Sequence, residues 1–260
     1  MLKYFTLLLV GIAGALVILY FKIGVPQIYR EDIKNTRALH LYDNPKQSIN
    51  EIHLTGIYFV PQDRQNNQLE SWQEDLRSSL AELKQFHDLQ FQGYSDLTID
   101  IYPNPIIGRQ DSIYYDTDNT NQGNPQALRN VSVEIQERVF SPEGDYWNSD
   151  DKKIVQPNAY RTVLILYEGV GASGAIGEPT ALISSYYFKN ENTRNKGNVF
   201  LAHEFYHTLG LPEGYAVRKI QTPYAAEIES LTSSDIMGAG RHQTLDKTYI
   251  DRQTLTHMGF

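Results

Sequence analysis

A mixed α/β fold (α+β) is predicted by three features of the sequence. Short β-branched runs recur between residues 51 and 188, an amphipathic helical pattern separates the first two, and a second helical stretch with one apolar face follows the last. Such an order places the strands in one twisted, mixed sheet and packs the two main helices against it.

The elements are read in chain order. Residues 4–21, YFTLLLVGIAGALVILYF, are uncharged and almost wholly apolar, with Lys3 before them and Lys22 after. The run is at the lower edge of a membrane-spanning length, exceeds the usual apolar part of a cleaved signal, and has no small-x-small cleavage site after it. Residues 1–22 are therefore expected to be an uncleaved membrane anchor, with a cleaved signal segment and secretion as the alternative. Lysines at both ends leave the orientation undecided by charge, and the short N-terminal tail places the following domain on the extracytoplasmic side. Residues 23–48, polar and containing Pro26 and Pro45, read as a linker, and residues 49–260 as one domain.

Within that domain EIHLTGIYFV (51–60) is the first strand. Leu69, Trp72, Leu76, Leu80, Leu83 and Phe86 recur at three- and four-residue steps and predict a long amphipathic helix. LTIDIY (97–102) is a second strand, and a short helix is expected near 125–140. Asp116 and Asp118, or Asp150 and Asp151, have calcium-like spacing but lack the glycine and distal glutamate of an EF-hand loop, so solvated loops are expected. RTVLILYEG (161–169) and ALISSYYF (181–188) are strands. Gly169, Gly171 and Gly174 formally satisfy G-x-G-x-x-G, yet no helix opens there, so a bent edge strand is expected at 171–177 rather than a dinucleotide loop.

The chemistry concentrates in GNVFLAHEFYHTLGLPEGY, residues 197–215. His203 and His207 are one helical turn apart and suit a zinc ion, and Glu204 between them suits proton transfer. Leu201, Phe205 and Leu209 fall on the opposite face, Asn198 is the expected N-cap, and Gly210 the expected left-handed stop. Downstream, SSDIMGAG places Met237 in a tight glycine-containing segment. Thr244 to Leu255 is expected to form a terminal helix. His40, His53, His87 and His257 carry no motif, and His242 reads as an exposed loop histidine, with lining the cleft or replacing an expected ligand as the alternatives.

Position by position, His203, Glu204, His207, Gly210 and Met237 resemble the metzincin class of zinc metallopeptidases, whose signature is H-E-x-x-H-x-x-G-x-x-H with a methionine-containing turn downstream. Glu213 stands where that signature carries its third, usually histidine, ligand. The resemblance implies a metzincin-like fold, with the sheet and two main helices above a cleft and a small coil-rich C-terminal subdomain ending in a helix. It also implies peptide substrates that add antiparallel to the edge strand at 171–177.

The expected function is therefore a Zn2+-dependent endopeptidase acting on a peptide or protein, with metal ligands His203, His207 and Glu213 and Glu204 as general base. A gluzincin-like site with Glu227 or Glu229 as third ligand is the alternative within enzymes, and a zinc-stabilised cell-surface binding module the alternative outside them. A net charge of −8 argues against nucleic acid as a partner. With no cysteine, a zinc site can use only nitrogen and oxygen ligands.

Overall fold

The computed structural model describes residues 49–116, 125–139, 160–170, 172–174, 179–189, 191–212, 216–219, 226–229 and 234–251. All of them belong to one compact unit, Ala38–Gly259. The expected anchor and linker lie outside the described residues, as do Glu213, Asp118 and the Asp150–Asp151 pair. Among the described residues no helix is long and apolar enough to cross a membrane.

A six-stranded sheet organises the fold. Its strands are β1 (Glu51–Val60), β2 (Asp96–Ile101), β3 (Ile106–Ile107), β4 (Tyr160–Tyr167), β5 (Ala172–Gly174) and β6 (Thr180–Ser184). The order is β2-β1-β4-β6-β5, and β3 pairs with the far end of β1 on the same side as β2. Every pairing is parallel except that of β5, which runs antiparallel to β6 and forms the edge. Of the edge strand expected at 171–177, residues 172–174 form β5, and the other residues of that segment lie outside the described residues.

Because β1 is central, its residues are buried on both faces, as parallel strands require. One face carries α1 (Trp72–Phe91), whose stripe Leu76, Leu80 and Leu83 is fully buried. At Gly56 a Cβ would lie 2.8 Å from Leu80 Cδ1, so the absent side chain lets α1 lie close to the sheet. Opposite, α2 (Ser112–Tyr115) and α3 (Pro125–Val139) cover a cluster containing Ile57, Phe59, Tyr115, Ile135, Ile165 and Tyr167. Each such aliphatic side chain contributes about 1.5–3 kcal/mol through burial.

Four expectations need correction. The strand expected to continue to residue 188 stops at Ser184, where α4 (Tyr186–Lys189) begins. Ser184 Oγ accepts the Tyr186 N–H at 3.1 Å and the Ser185 carbonyl accepts the Phe188 N–H at 2.9 Å, so two serines divert the backbone from the ladder into a helical turn. The histidine helix, α5 (Glu191–Thr208), starts well before Asn198, which is an interior residue donating to Glu82 Oε2 at 2.6 Å. Its polar first turns lack hydrophobic periodicity and are held by tertiary contacts: Arg194 pairs with buried Asp75 at 2.5 Å, and Gly197 leaves room for Tyr187 of α4.

The third correction is that the lower part, expected to be irregular and coil-rich, contains an antiparallel pair, β7 (Ala216–Lys219) with β8 (Ala226–Glu229). The fourth is that Thr244 precedes a single 3-10 turn, Leu245–Lys247, rather than a terminal helix. There the backbone is taken up by a bridge instead: the Ile236 N–H donates to the Tyr249 carbonyl at 2.8 Å, and the Tyr249 N–H to the Ser234 carbonyl at 3.1 Å. The rest of the expected helix lies outside the described residues.

Candidate metal centre

Helix α5 separates its two faces as the spacing predicts. Leu201, Phe205 and Leu209 are fully buried in the core, while His203 and His207 come together on the other side, only 2% and 3% exposed. The final turn is fastened from the sheet: the Tyr160 hydroxyl donates to the Thr208 carbonyl at 2.7 Å, and Thr162 Oγ1 donates to Thr208 Oγ1 at 2.9 Å. A helix end otherwise leaves such carbonyls without partners.

Gly210 has φ +87°, in the left-handed region that favours glycine. The Leu211 N–H returns to the Tyr206 carbonyl at 3.2 Å and the Gly210 N–H to the His207 carbonyl at 2.9 Å, the paired bonds of a Schellman motif. The reversal has a second effect. It brings the Leu211 carbonyl against the ring of His207, whose Nδ1 donates to it at 2.8 Å.

His203 is oriented by a different segment. Its Nδ1 donates to the Ile236 carbonyl at 2.9 Å. That carbonyl belongs to the turn holding the fully buried Met237, where Asp235 Oδ1 accepts the Met237 N–H at 3.1 Å and the Asp235 carbonyl accepts the Gly238 and Gly240 N–H groups at 2.9 and 2.8 Å. At Gly240 a Cβ would be 2.3 Å from the Ser234 carbonyl oxygen, so this turn requires glycine. Sequence spacing singled out Met237 but not Gly240 or Asp235.

Since a carbonyl can only accept, each Nδ1 must carry a hydrogen, and in the neutral rings each Nε2 is then a lone-pair donor to a cation. The two Nε2 atoms face each other at 3.1 Å, with the ring planes at 84°. Two such lone pairs repel unless a proton or a metal cation lies between them. The pair therefore fits a divalent cation with a preference for nitrogen ligands, zinc in particular. Among the described residues no cluster of three or more metal-ligating side chains occurs. Glu213, the expected third ligand, lies outside the described residues, as do the side chains of Glu227 and Glu229, whose backbones form β8.

Glu204 is half-exposed beside the histidines. The Tyr187 phenol on α4 is pushed above its ordinary range, first by burial and then by the negative charge of Glu204. Tyr187 packs on Phe200 with centroids 5.2 Å apart, and the exposed His242 meets Phe200 edge-on at 6.4 Å.

His87, which carries no motif, is instead a fully buried part of the scaffold under α5. Ser95 Oγ donates to the Ile49 carbonyl at 3.1 Å, so it accepts from His87 Nε2 at 3.1 Å, which leaves Nδ1 to accept the Tyr206 hydroxyl at 3.3 Å. Asp116 pairs with Arg64 at 2.7 Å and accepts the Tyr167 hydroxyl at 2.8 Å. Glu168 accepts the Tyr58 hydroxyl at 2.6 Å and pairs with Lys189, both within the scaffold. A groove of about 520 Å³ bordered by Phe86, Leu89 and Leu245 contains none of the metal-centre residues.

No family model and no curated protein match the chain. Solved structures do. Catalytically inactive OgpA from Akkermansia muciniphila, in complex with an O-glycopeptide (glycodrosocin) substrate, is 13% identical, with a TM-score of 0.47 over 86% of this chain and 64% of that one. A zinc-dependent peptidase from Methanocorpusculum labreanum (strain Z) is 13% identical, with a TM-score of 0.42 over 80% and 99%. Metalloproteinase-II from Bacteroides fragilis is 14% identical, with a TM-score of 0.44 over 86% and 57%. The chain spans less than two thirds of OgpA and of metalloproteinase-II. At this low identity it is similar in structure to zinc-dependent peptidases and metalloproteinases.

Proposed function

We propose that this chain is a zinc-dependent endopeptidase in which Glu204 acts as general base. The observation that carries the reading is the convergence of two buried imidazoles, each fixed through Nδ1 to a backbone carbonyl, with their Nε2 atoms 3.1 Å apart and a glutamate between them in sequence. His203 and His207 would hold the metal through Nε2, and Glu213 would complete a His₂Glu set of the kind catalytic zinc uses. When bound, zinc supplies a Lewis acid for the scissile carbonyl and makes water acidic enough to attack near neutral pH.

The chain's own residues do the rest. Glu204 accepts the proton of the attacking water and hands it to the departing amine, so one carboxylate serves as base and then as acid. Strand β5, at the edge of the sheet among the described residues, would hold an extended peptide by backbone hydrogen bonds. The carbonyls of Ile236 and Leu211 keep both imidazoles in one tautomer and one orientation throughout.

The test is Glu204→Gln, which keeps the side-chain shape but removes the base. Peptide turnover should fall ~10²-fold to 10⁴-fold while zinc content, measured on the same preparation, stays at the parent level. Unchanged turnover would sink this mechanism.

A further inference from the structure

The groove bordered by Phe86, Leu89 and Leu245 has a chemistry of its own, apart from the metal centre. One wall is a row on α1, where Glu82, Phe86 and Leu89 follow at four- and three-residue steps and so share one face of the helix. The other wall is the 3-10 turn Leu245–Lys247 with Thr244 before it. Within that turn the Lys247 N–H donates to the Thr244 carbonyl at 2.9 Å, and Thr248 Oγ1 donates to the Leu245 carbonyl at 2.8 Å. Just beyond it the Ile250 N–H donates to Gln90 Oε1 of α1 at 3.0 Å, which ties the turn to the helix it faces. The groove, about 520 Å³, is therefore built into the fold.

Its lining is apolar and anionic together. Phe86 and Leu245 are 5% and 8% exposed, whereas Leu89 is 65% exposed and presents most of its side chain to whatever enters. The charged side chains of the lining are Glu82 and Asp246, both exposed. Among the described residues Glu82 meets the neutral Asn198 amide at 2.6 Å, and neither carboxylate has an ion-pair partner. Thr244 Oγ1, sheltered from solvent, has no hydrogen-bond partner among the described residues and is left to accept from a ligand.

Ionised carboxylates accept and cannot donate, so the groove complements a ligand with positive charge and N–H donors. A bare calcium ion would use the carboxylates but not the leucines. It also takes roughly six to eight oxygen ligands, and the described residues contain no group of three metal-ligating side chains. A lysine or arginine side chain uses both features, its methylenes against the apolar surface and its charged end at the carboxylates. We propose that this groove is a docking surface for an extended peptide segment in which a lysine or arginine stands next to an apolar residue. The surface does not depend on the peptidase reading; within that reading it holds a remote part of a protein substrate and lowers KM.

The experiment uses the full chain carrying Glu204→Gln, so that bound peptide is not consumed, and a short fluorescent peptide with a leucine between two lysines. Its counterparts carry glutamate for both lysines or serine for the leucine. Anisotropy titrations should show the lysine peptide binding about tenfold more tightly than either counterpart, with the advantage over the glutamate peptide shrinking as salt is raised. Glu82→Gln with Asp246→Asn should bring that charge preference close to unity, and Leu89→Ser should do the same for leucine against serine. All three side chains are exposed and Glu82→Gln keeps an oxygen for Asn198, so the urea midpoints should stay at the parent value. Asp246→Lys, a charge reversal on the exposed turn, should favour the glutamate peptide.

Equal binding of the three peptides, or a preference unchanged in these variants, overturns the proposal. Displacement of the lysine peptide by calcium with uptake of the ion makes the groove a metal site and also overturns it. Self-association abolished by Leu89→Ser makes a second copy the occupant, with the same consequence. In the parent protein, a cleavable peptide extended by the lysine and leucine segment should show a lower KM with kcat unchanged. Selective binding with no hydrolysis of any peptide supports the docking surface and removes the peptidase reading, whereas hydrolysis without the preference does the reverse.

Discussion

Acidification should weaken this fold through His87. The ring is buried between α1 and α5, stacked on Phe91 with centroids 4.2 Å apart, and burial, followed by the charge of Lys84, drops its pKa from 6.5 to about 3. In the unfolded chain the same side chain titrates near its ordinary value, so between those limits the unfolded state binds a proton that the folded state does not. The contribution is therefore fully present above the unfolded pKa and is lost as the pH falls from there towards the folded one. At 1.36 kcal/mol per unit, pH 5 lies about 1.5 units inside the window, and the fold should be weaker there than at pH 7 by about 2 kcal/mol from this group. Urea unfolding of the parent and of His87→Leu at pH 7, 6 and 5 measures it. The variant loses the hydrogen bonds to Tyr206 and Ser95 and starts less stable, but its stability should fall less steeply over this range. Parallel pH dependences in the two proteins would refute the assignment.

The remaining predictions concern the metal centre and its surroundings. Gly210→Ala places a Cβ in the left-handed conformation and should cost about 1–2 kcal/mol of stability, with weaker zinc binding because the Leu211 carbonyl moves off His207; a denaturation midpoint at the parent value would contradict the turn described here. Glu213→Ala should lose most zinc affinity in a chelator competition and Glu213→His should retain it, whereas parent-like binding by the alanine variant would redirect the search for the third ligand to Glu227, Glu229 or His242. The apolar run at residues 4–21 leads us to propose a membrane-anchored, extracytoplasmic domain. Protease added to intact cells should digest the domain, and protection until lysis would reject that placement.

Much of the centre was legible because its chemistry is local in the chain. The i, i+4 spacing of His203 and His207, the opposite apolar face at Leu201, Phe205 and Leu209, and the left-handed stop at Gly210 are consequences of helical geometry, which residue identity reveals without a partner. The strands of the sheet centre were readable for a similar reason, since β-branched runs flanked by turn residues need little else to define them. Elements that depend on distant partners were not. The polar first turns of α5 are helical because Asp75 receives Arg194 and Glu82 receives Asn198, contacts that no local pattern announces. His87 gave no signal at all, because its role exists only once Ser95 and Tyr206 arrive from other elements. The same holds for what aims the two imidazoles proposed as ligands: the sequence by itself determined that His203 and His207 share one helix face, while the tertiary structure decided that the Ile236 and Leu211 carbonyls set their tautomers. The physical reason is that a side chain's identity and spacing are properties of the chain, whereas a hydrogen-bond partner far along it is available only after the intervening segments have packed.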